Sequence, residues 1–364
     1  MTGARPPVGR RAVARAPVRV ADVGGWTDTW FAARGAVCSV AVGPGATAEV
    51  RVRPCAGRPP VRMWAPDLAA SWSLRPDGDD GWRRPRPGAQ PLLDHAVGLV
   101  LEGLPDGVVG DEGVALDVAV RAAVPPGSAV GTSAAVLVAL VAAVGAALDR
   151  PRTPEAAARD AYEVEAGRVG RESGVQDQVA AAFGGVSWIE VDPHPGWRRA
   201  PVALPAGTGA ALAERLVTVH LGGGHDSSVL HRVVIEAAEA GDAEVLAALA
   251  ELRGLAALAR RHLAAGDLAG WGTVLTAATQ EQARLHPALV GDDARGVMDL
   301  GAAHGARGAK VNGAGGAGGT VTLVGPEDPT ARLALERALV DAGRGWEVLD
   351  LVPCGGLEVV VTDP

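Results

Sequence analysis

The stretch PPGSAVGTSAAVLVAL, residues 125–140, joins a loop of small residues to a run that stays apolar as far as Leu148. A helix that is apolar all round has no face to give to water, so protein must surround it. The run AAVLVALVAAVGAAL, residues 134–148, falls short of the roughly 20 residues that cross a bilayer. It predicts a buried core helix about which other elements are arranged. The loop in front has its own chemistry. Successive backbone N–H groups in a Gly/Ser loop, with a helix N-terminus behind them, form a cradle for an anion, commonly phosphate. The Walker A pattern fails here, because Gly131 is followed directly by Thr132 with no lysine. A second reading fits the same residues: Thr132 or Ser133 could cap a core helix by satisfying its orphan amides. The loop alone does not choose between them.

A chain of 364 residues with 48% hydrophobic content can bury a sizeable core and fits two domains. Its net charge of -8 argues against a general nucleic-acid binder, which needs a basic face. Cys38, Cys55 and Cys354 are far apart and odd in number. They make neither a disulfide framework nor a zinc cluster, so a reducing cytoplasm is the expectation. Lys310 is the only lysine, which reads as coding bias towards arginine. The start, MTGARPPVGRRAVAR, is basic but lacks an apolar signal core, so residues 1–12 are expected to be a disordered tail.

Strands and helices are intermixed along the chain. Residues 48–54, 114–120, 185–192 and 215–222 read as strands, as do 320–325 and 356–363. Residues 227–265 read as largely helical. The Pro/Gly-rich segment 192–209 is the linker candidate, and 76–91 reads as a surface loop. A late cluster, GAKVNGAGGAGGTVTLV, contains Gly313, Gly315 and Gly318 in the spacing G-x-G-x-x-G. A dinucleotide fingerprint must open a helix, and this one leads into a strand, so that reading is rejected. Two further segments carry charge beside glycine: APVRVADVGGWTDTW, with Arg19 and Asp28, and YEVEAGRVGRESGVQDQVAAAFGG, with Glu165 and Asp177. Either alone is compatible with a solvated surface.

Together the four segments resemble the GHMP small-molecule kinases, the superfamily of galactokinase, homoserine kinase and mevalonate kinase. PPGSAVGTSAA resembles the family's phosphate loop, KVNGAGGAGG its late glycine motif and APVRVADVGGWTD its N-terminal motif, in the right order over nearly the whole chain. GGWTD and GVQDQVAAAFGG look most like the sugar-1-kinase branch, which includes heptose 7-phosphate and fucose kinases.

The resemblance implies an α+β fold of two domains. A ribosomal-protein-S5-like N-terminal domain would span 13–195, and a ferredoxin-like C-terminal domain 205–364. It implies ATP and Mg²⁺, with a small-molecule sugar as acceptor, and neither nucleic acid nor membrane as partner; monomer and homodimer both remain open. Pro126, Gly127, Ser128, Ala129, Val130, Gly131, Thr132 and Ser133 would wrap the ATP phosphates, with Gly313, Gly315 and Gly316 closing from the second domain. Ser133 and Glu165 would hold the metal, being the hard oxygen ligands Mg²⁺ prefers. Asp177 would orient the acceptor hydroxyl, with Arg19 facing it. Gly25, Thr27, Asp28 and Gln176, with Asp177, would contact the sugar. Arg171, Arg232 and Arg284 are the arginines considered for a distal phosphate on the acceptor, and residues 221–232 the segment to watch.

Two departures stand out. Ala129 occupies a position where the family usually has glycine, and Ala134 one where the heptose-kinase branch often has serine. A kinase for a non-sugar alcohol and an inactive sugar sensor on the same scaffold are the alternatives.

Overall fold

The computed structural model describes residues 5–76, 82–83, 90–105, 107–222 and 228–364. The chain opens with β1 (Arg11–Val23) and the 20-residue β2 (Gly35–Pro54). Then come β3 (Val61–Ala65), β4 (Ala70–Pro76), β5 (Trp82–Arg83), α1 (Pro91–Glu102) and β6 (Val114–Ala122). The apolar run becomes α2 (Thr132–Ala147), followed by α3 (Pro154–Tyr162), α4 (Gln176–Phe183), β7 (Val186–Val191) and β8 (Trp197–Pro201). The second half contains α5 (Thr208–Arg215), β9 (Leu216–His220), α6 (Ser228–Glu239), α7 (Ala243–Ala265), α8 (Leu268–Leu285) and α9 (Asp292–Ala303). It ends with β10 (Ala309–Val311), β11 (Thr320–Val324), α10 (Pro329–Asp341), β12 (Glu347–Leu349), β13 (Val352–Pro353) and β14 (Glu358–Thr362).

The larger sheet runs β14-β1-β2-β6-β3-β4-β5, with β13 and β7 also on β2, and β8 on β7. Strand β2 can serve so many neighbours because it changes character midway. Residues 35–42 are buried throughout, whereas 43–54 alternate as one face meets solvent. The break falls at Gly43-Pro44-Gly45, where a Cβ on Gly45 would lie 2.2 Å from the Ala16 carbonyl oxygen. Helix α2 lies against β1 and β2 and is flanked by α1, α3 and α4. From Ala134 onward every residue of it except Val136 is buried, as its all-round apolar sequence requires.

The smaller sheet has the order β10-β11-β9-β12, antiparallel throughout. With α6–α9 between β9 and β10, and α10 between β11 and β12, this is the β-α-β-β-α-β connection of a ferredoxin-like unit, enlarged by extra helices. The glycine-rich residues 313–319 form the β10–β11 hairpin loop, closed by Asn312 N–H donating to Thr320 O at 3.0 Å. A hairpin between antiparallel strands cannot be a dinucleotide turn, which leads from a strand into a helix.

Several expectations need correction. Residues 9–12 are not a free tail: Gly9 N–H donates to Val52 O at 2.9 Å, and Arg11 and Ala12 already pair with β2. The presumed linker contains β8. The second unit does not run to residue 364, because β13 joins β2 and β14 joins β1 in the first sheet. Nor does the core divide cleanly at the linker. Leu249, Leu252, Ala256, Trp271 and Leu275 of α7 and α8 belong to the same apolar cluster as α2 and the large sheet. Most of the 76–91 loop, and residues 223–227 of the 221–232 segment, lie outside the described residues. Among the described residues no helix is long and apolar enough to cross a membrane.

Candidate active site

Strand β1 carries Arg19 into the interior, where only 4% of it is exposed. Its Nε and Nη2 donate to the two oxygens of Asp177, at 2.8 and 3.3 Å, and its Nη1 to Ala129 O at 2.5 Å. One guanidinium thus ties the first turn of α4 to the 125–133 loop. Burial by itself would lower the Arg19 pKa, but Asp177 and Asp22 outweigh it, and the group stays charged.

The loop leaves its backbone donors free. Among the described residues, no N–H from Gly127 to Ser133 donates to a protein acceptor. Gly131 is the N-cap of α2 at φ 76°, and no side chain caps the helix. The buried Thr132 Oγ1 has no partner, and Ser133 Oγ donates instead to Glu165 Oε1 at 2.9 Å. The capping alternative therefore fails, and the loop has the donor array of an anion cradle.

Glu165 lies on a π-helical turn, Glu163–Arg168, that continues α3; such bulges often re-aim a functional side chain. Gln178 Nε2 donates to its Oε2 at 2.8 Å, and Arg171 approaches its Oε1 at 3.7 Å. Burial raises the Glu165 pKa, opposed by the Ser133 hydrogen bond. Asp28, 2% exposed, accepts from Gln176 N–H at 2.9 Å and Gln176 Nε2 at 3.3 Å. Its pKa is pushed up to about 6, mainly by burial, against the Gln176 N–H, with the Asp177 charge adding to the rise.

The second unit reaches in through its hairpin loop. Asn312 Oδ1 accepts from Ala21 N–H at 2.8 Å, Gly313 N–H donates to Asp22 Oδ2 at 3.1 Å, and Thr320 Oγ1 donates to Ser128 O at 2.9 Å. The result is a cleft of about 560 Å³, with Arg19, Asp28, Ser133, Glu165 and Asp177 on its wall and Gly313 at its edge.

Three of the expected contacts face elsewhere. The Thr27 hydroxyl is committed to Gly24 O at 2.7 Å and to the Ala36 backbone, so it shapes the β1–β2 connection. Gly316 N–H donates to Leu289 O at 2.9 Å, and a Cβ on Gly315 would sit 2.1 Å from that same oxygen. Both glycines let the loop pack on its own unit. Gly25 supplies room: a Cβ there would meet Asp22 Oδ2 at 2.8 Å. Arg284 pairs with Glu281 at 2.7 Å on α8, away from the cleft wall, and Arg232 is exposed on α6.

Other residues of the site escaped the sequence reading. Asp22 is fully buried beneath Gly313. Trp26 and His231 meet at a tilt of 52°, with ring centroids 4.8 Å apart, and His231 Nδ1 faces Glu172 Oε2 at 3.7 Å. A Cβ on Gly174 would lie 2.0 Å from Asp28 Oδ2, so only glycine allows that carboxylate its place. Asp22 and Trp26 lay inside the APVRVADVGGWTD motif, and that was their only signal.

Ala129 sits at φ 56°, the left-handed region that costs an L-residue about 1–2 kcal/mol. Its methyl is wedged between Gly313 and Gly319, where an added Cβ would come within 3.1 Å of it. Ala129→Gly is expected to raise stability by up to about 1 kcal/mol, the released strain being partly offset by unfolded-chain entropy. Denaturant unfolding measures it, and a clear loss of stability would mean that the methyl packing outweighs the strain.

Residues 94–185, from α1 to the start of β7, match the family model for the GHMP kinases N terminal domain. No curated protein matches the chain. Solved structures share its fold end to end. A D-glycero-D-manno-heptose 1-phosphate kinase from Bacteroides thetaiotaomicron has a TM-score of 0.70 at 19% identity, covering 96% of this chain and 98% of that one. Methanococcus jannaschii mevalonate kinase gives 0.69 at 16% identity, over 94% and 98%. Lactococcus lactis galactokinase, solved with galactose, gives 0.65 at 18% identity, over 96% and 95%. The segment holding the unpaired loop amides and Asp177 carries the sequence pattern of the GHMP kinases N terminal domain, and the whole chain shares the fold of these solved kinases.

Proposed function

We propose that the chain is an ATP-dependent kinase that phosphorylates a sugar at its anomeric hydroxyl, giving a sugar 1-phosphate. The observation that carries this reading is the Arg19–Asp177 pair set beside a loop of unpartnered N–H groups and the Ser133–Glu165 pair.

The residues fit both groups the reaction needs. The amides of Gly127–Ser133 and the free Thr132 hydroxyl suit a polyphosphate. Among the described residues no three His, Cys, Asp or Glu gather as a metal cage. A serine–glutamate pair suits Mg²⁺, which keeps waters and phosphate oxygens as its other ligands. Bound there, Mg²⁺ would offset charge on the phosphate oxygens.

The remaining work belongs to the chain. Asp177 takes or orients the proton of the attacking hydroxyl, and Arg19 holds that carboxylate and steadies charge on the transferred group. An anomeric hydroxyl is the most acidic on a free sugar and needs modest help. Asp28 accepts hydrogen bonds from other hydroxyls and so fixes which oxygen is presented. The sugar-like motifs and the polar wall favour this acceptor over an isoprenoid alcohol, and the complete set of Arg19, Ser133, Glu165 and Asp177 favours an enzyme over a sensor. ADP release with ATP, Mg²⁺ and a sugar panel tests the activity. Phosphorus NMR, with coupling to the anomeric proton, tests the position; phosphate on another carbon would overturn the assignment.

A pH dependence follows from Asp28. Its pKa is about 6 in the folded chain against an ordinary 3.8. The folded state therefore holds this proton more tightly than the unfolded one, and the residue's contribution to stability falls as pH rises from about 4 to about 6. Acceptor binding runs the other way, because only the carboxylate accepts two hydroxyls. The acceptor KM is expected to fall as pH rises through about 6, a trend that Asp28→Asn should flatten. A wild-type KM independent of pH there would remove Asp28 from acceptor binding.

A further inference from the structure

We propose that Trp26 sets the size of the acceptor: its indole, held against His231 of the second unit, closes the acceptor end of the cleft against larger sugars. This rests on the sugar-kinase reading and adds the residue that decides which sugars enter.

The backbone at Trp26 is the first observation. Its φ is 78°, an outlier for a bulky residue that persists only where the surrounding structure enforces it. The enforcing contacts are local. Gly25 N–H donates to Asp22 O at 3.2 Å, Thr27 N–H to Gly24 O at 3.1 Å, and Thr29 Oγ1 to Trp26 O at 2.8 Å. None of these bonds uses the Trp26 side chain, so a glycine at 26 would make the same turn without strain. The turn therefore does not call for the indole.

Its surroundings do. Trp26 lies on the cleft wall, as does Asp28 two residues on. Only 6% of Trp26 is exposed, so it acts by bulk and not through its N–H. Its ring meets that of His231 with centroids 4.8 Å apart. His231 stands on α6 of the second unit, its side chain 20% exposed, and faces Glu172 across 3.7 Å. Glu172 is two residues from Gly174, which packs on the Asp28 carboxylate. The contacts thus leave the turn that carries Asp28 and return to Asp28, joining both units around the carboxylate assigned to the acceptor. An indole packed in this way resists displacement by a longer acceptor. A wall of fixed shape discriminates by about 10–200-fold on the scale of one methylene.

The test reads kcat/KM by ADP release for a hexose, its 2-acetamido derivative and a heptose of the same ring configuration. Trp26→Gly is expected to raise the value for at least one larger member, relative to the hexose, by at least about 10-fold. A merely structural defect would lower every sugar alike and leave the ratios unchanged. His231→Ala leaves the backbone of residue 26 untouched and should move the same ratio in the same direction by a smaller factor. A folded Trp26→Gly protein with wild-type ratios would overturn the inference and leave the sugar-kinase reading standing. Should Trp26→Gly fail to fold, Trp26→Phe and His231→Ala carry the test, and wild-type ratios in both would overturn the inference equally. Turnover by the unaltered chain confined to a non-sugar alcohol would overturn the sugar reading, and the inference with it.

Discussion

Asp177→Asn is expected to keep nucleotide binding and to lose turnover on the order of 10²–10⁴-fold. Asparagine keeps the size of the side chain and one oxygen that can accept from Arg19. It loses the charge and the ability to take a proton. It also leaves the Arg19 guanidinium, buried to 4% exposure, with Asp22 Oδ2 at 3.9 Å as its nearest carboxylate. Removing one partner of a buried pair commonly destabilises by about 3–5 kcal/mol. Asp177 is partly exposed, so the cost here should be smaller, and thermal unfolding must accompany the kinetics. Nucleotide affinity is the discriminating control, because the loop amides do not depend on Asp177 charge. Near-normal turnover in the folded variant would remove Asp177 from the chemistry.

What the sequence revealed was local. Helix α2 was legible because an all-apolar run permits only a buried helix, and β6, β7, β9 and β11 because alternation or apolar runs mark strands. The return of β14 to β1 was not legible, since no local pattern records which edge a late strand joins. Strand β8 was hidden because Pro193, Pro195 and Gly196 precede it in what reads as a linker. Helices α7 and α8 each carry an apolar face, but the sequence does not say that the face seals the first unit's core.

The site divides along the same line. Glycine loops and charged residues beside them were visible; the partners that hold them were not. Asp22 and Gly313 are 291 positions apart, as are Ala21 and Asn312. Gly174 matters only because Asp28 arrives beneath it. The bonds of Asn312 and Gly313 with Ala21 and Asp22 fasten the hairpin loop to β1, and the bond from Thr320 to Ser128 fastens it to the 125–133 loop, at one end of the cleft. A ligand entering the cleft finds these loops already in register, so their ordering is completed on folding and need not draw on binding energy.

Gly131→Val is expected to abolish measurable nucleotide binding. Gly131 adopts φ 76° at the N-cap of α2, where a β-branched residue is strained. A valine either forces the loop out of this conformation or keeps it and covers the amides beside it. Losing two charge-assisted N–H contacts, at about 1.5–3 kcal/mol each, lowers affinity on the order of 10²-fold or more. From sequence alone, the acceptor would be expected to bind this variant normally. The geometry gives a different result: a Cβ at 131 lies 3.1 Å from Asp177 Cγ and Oδ2. The substitution therefore also presses on Asp177, the partner of Arg19, and turnover should stay low even at saturating nucleotide. Gly131→Ala carries the same Cβ without the branches, so it should show the Asp177 defect with a smaller loss of nucleotide affinity. Calorimetry with a non-hydrolysable ATP analogue reads the first effect, and kcat at saturation reads the second. A folded Gly131→Val protein with unchanged nucleotide affinity would mean that the amides of Gly127–Ser133 hold no phosphate.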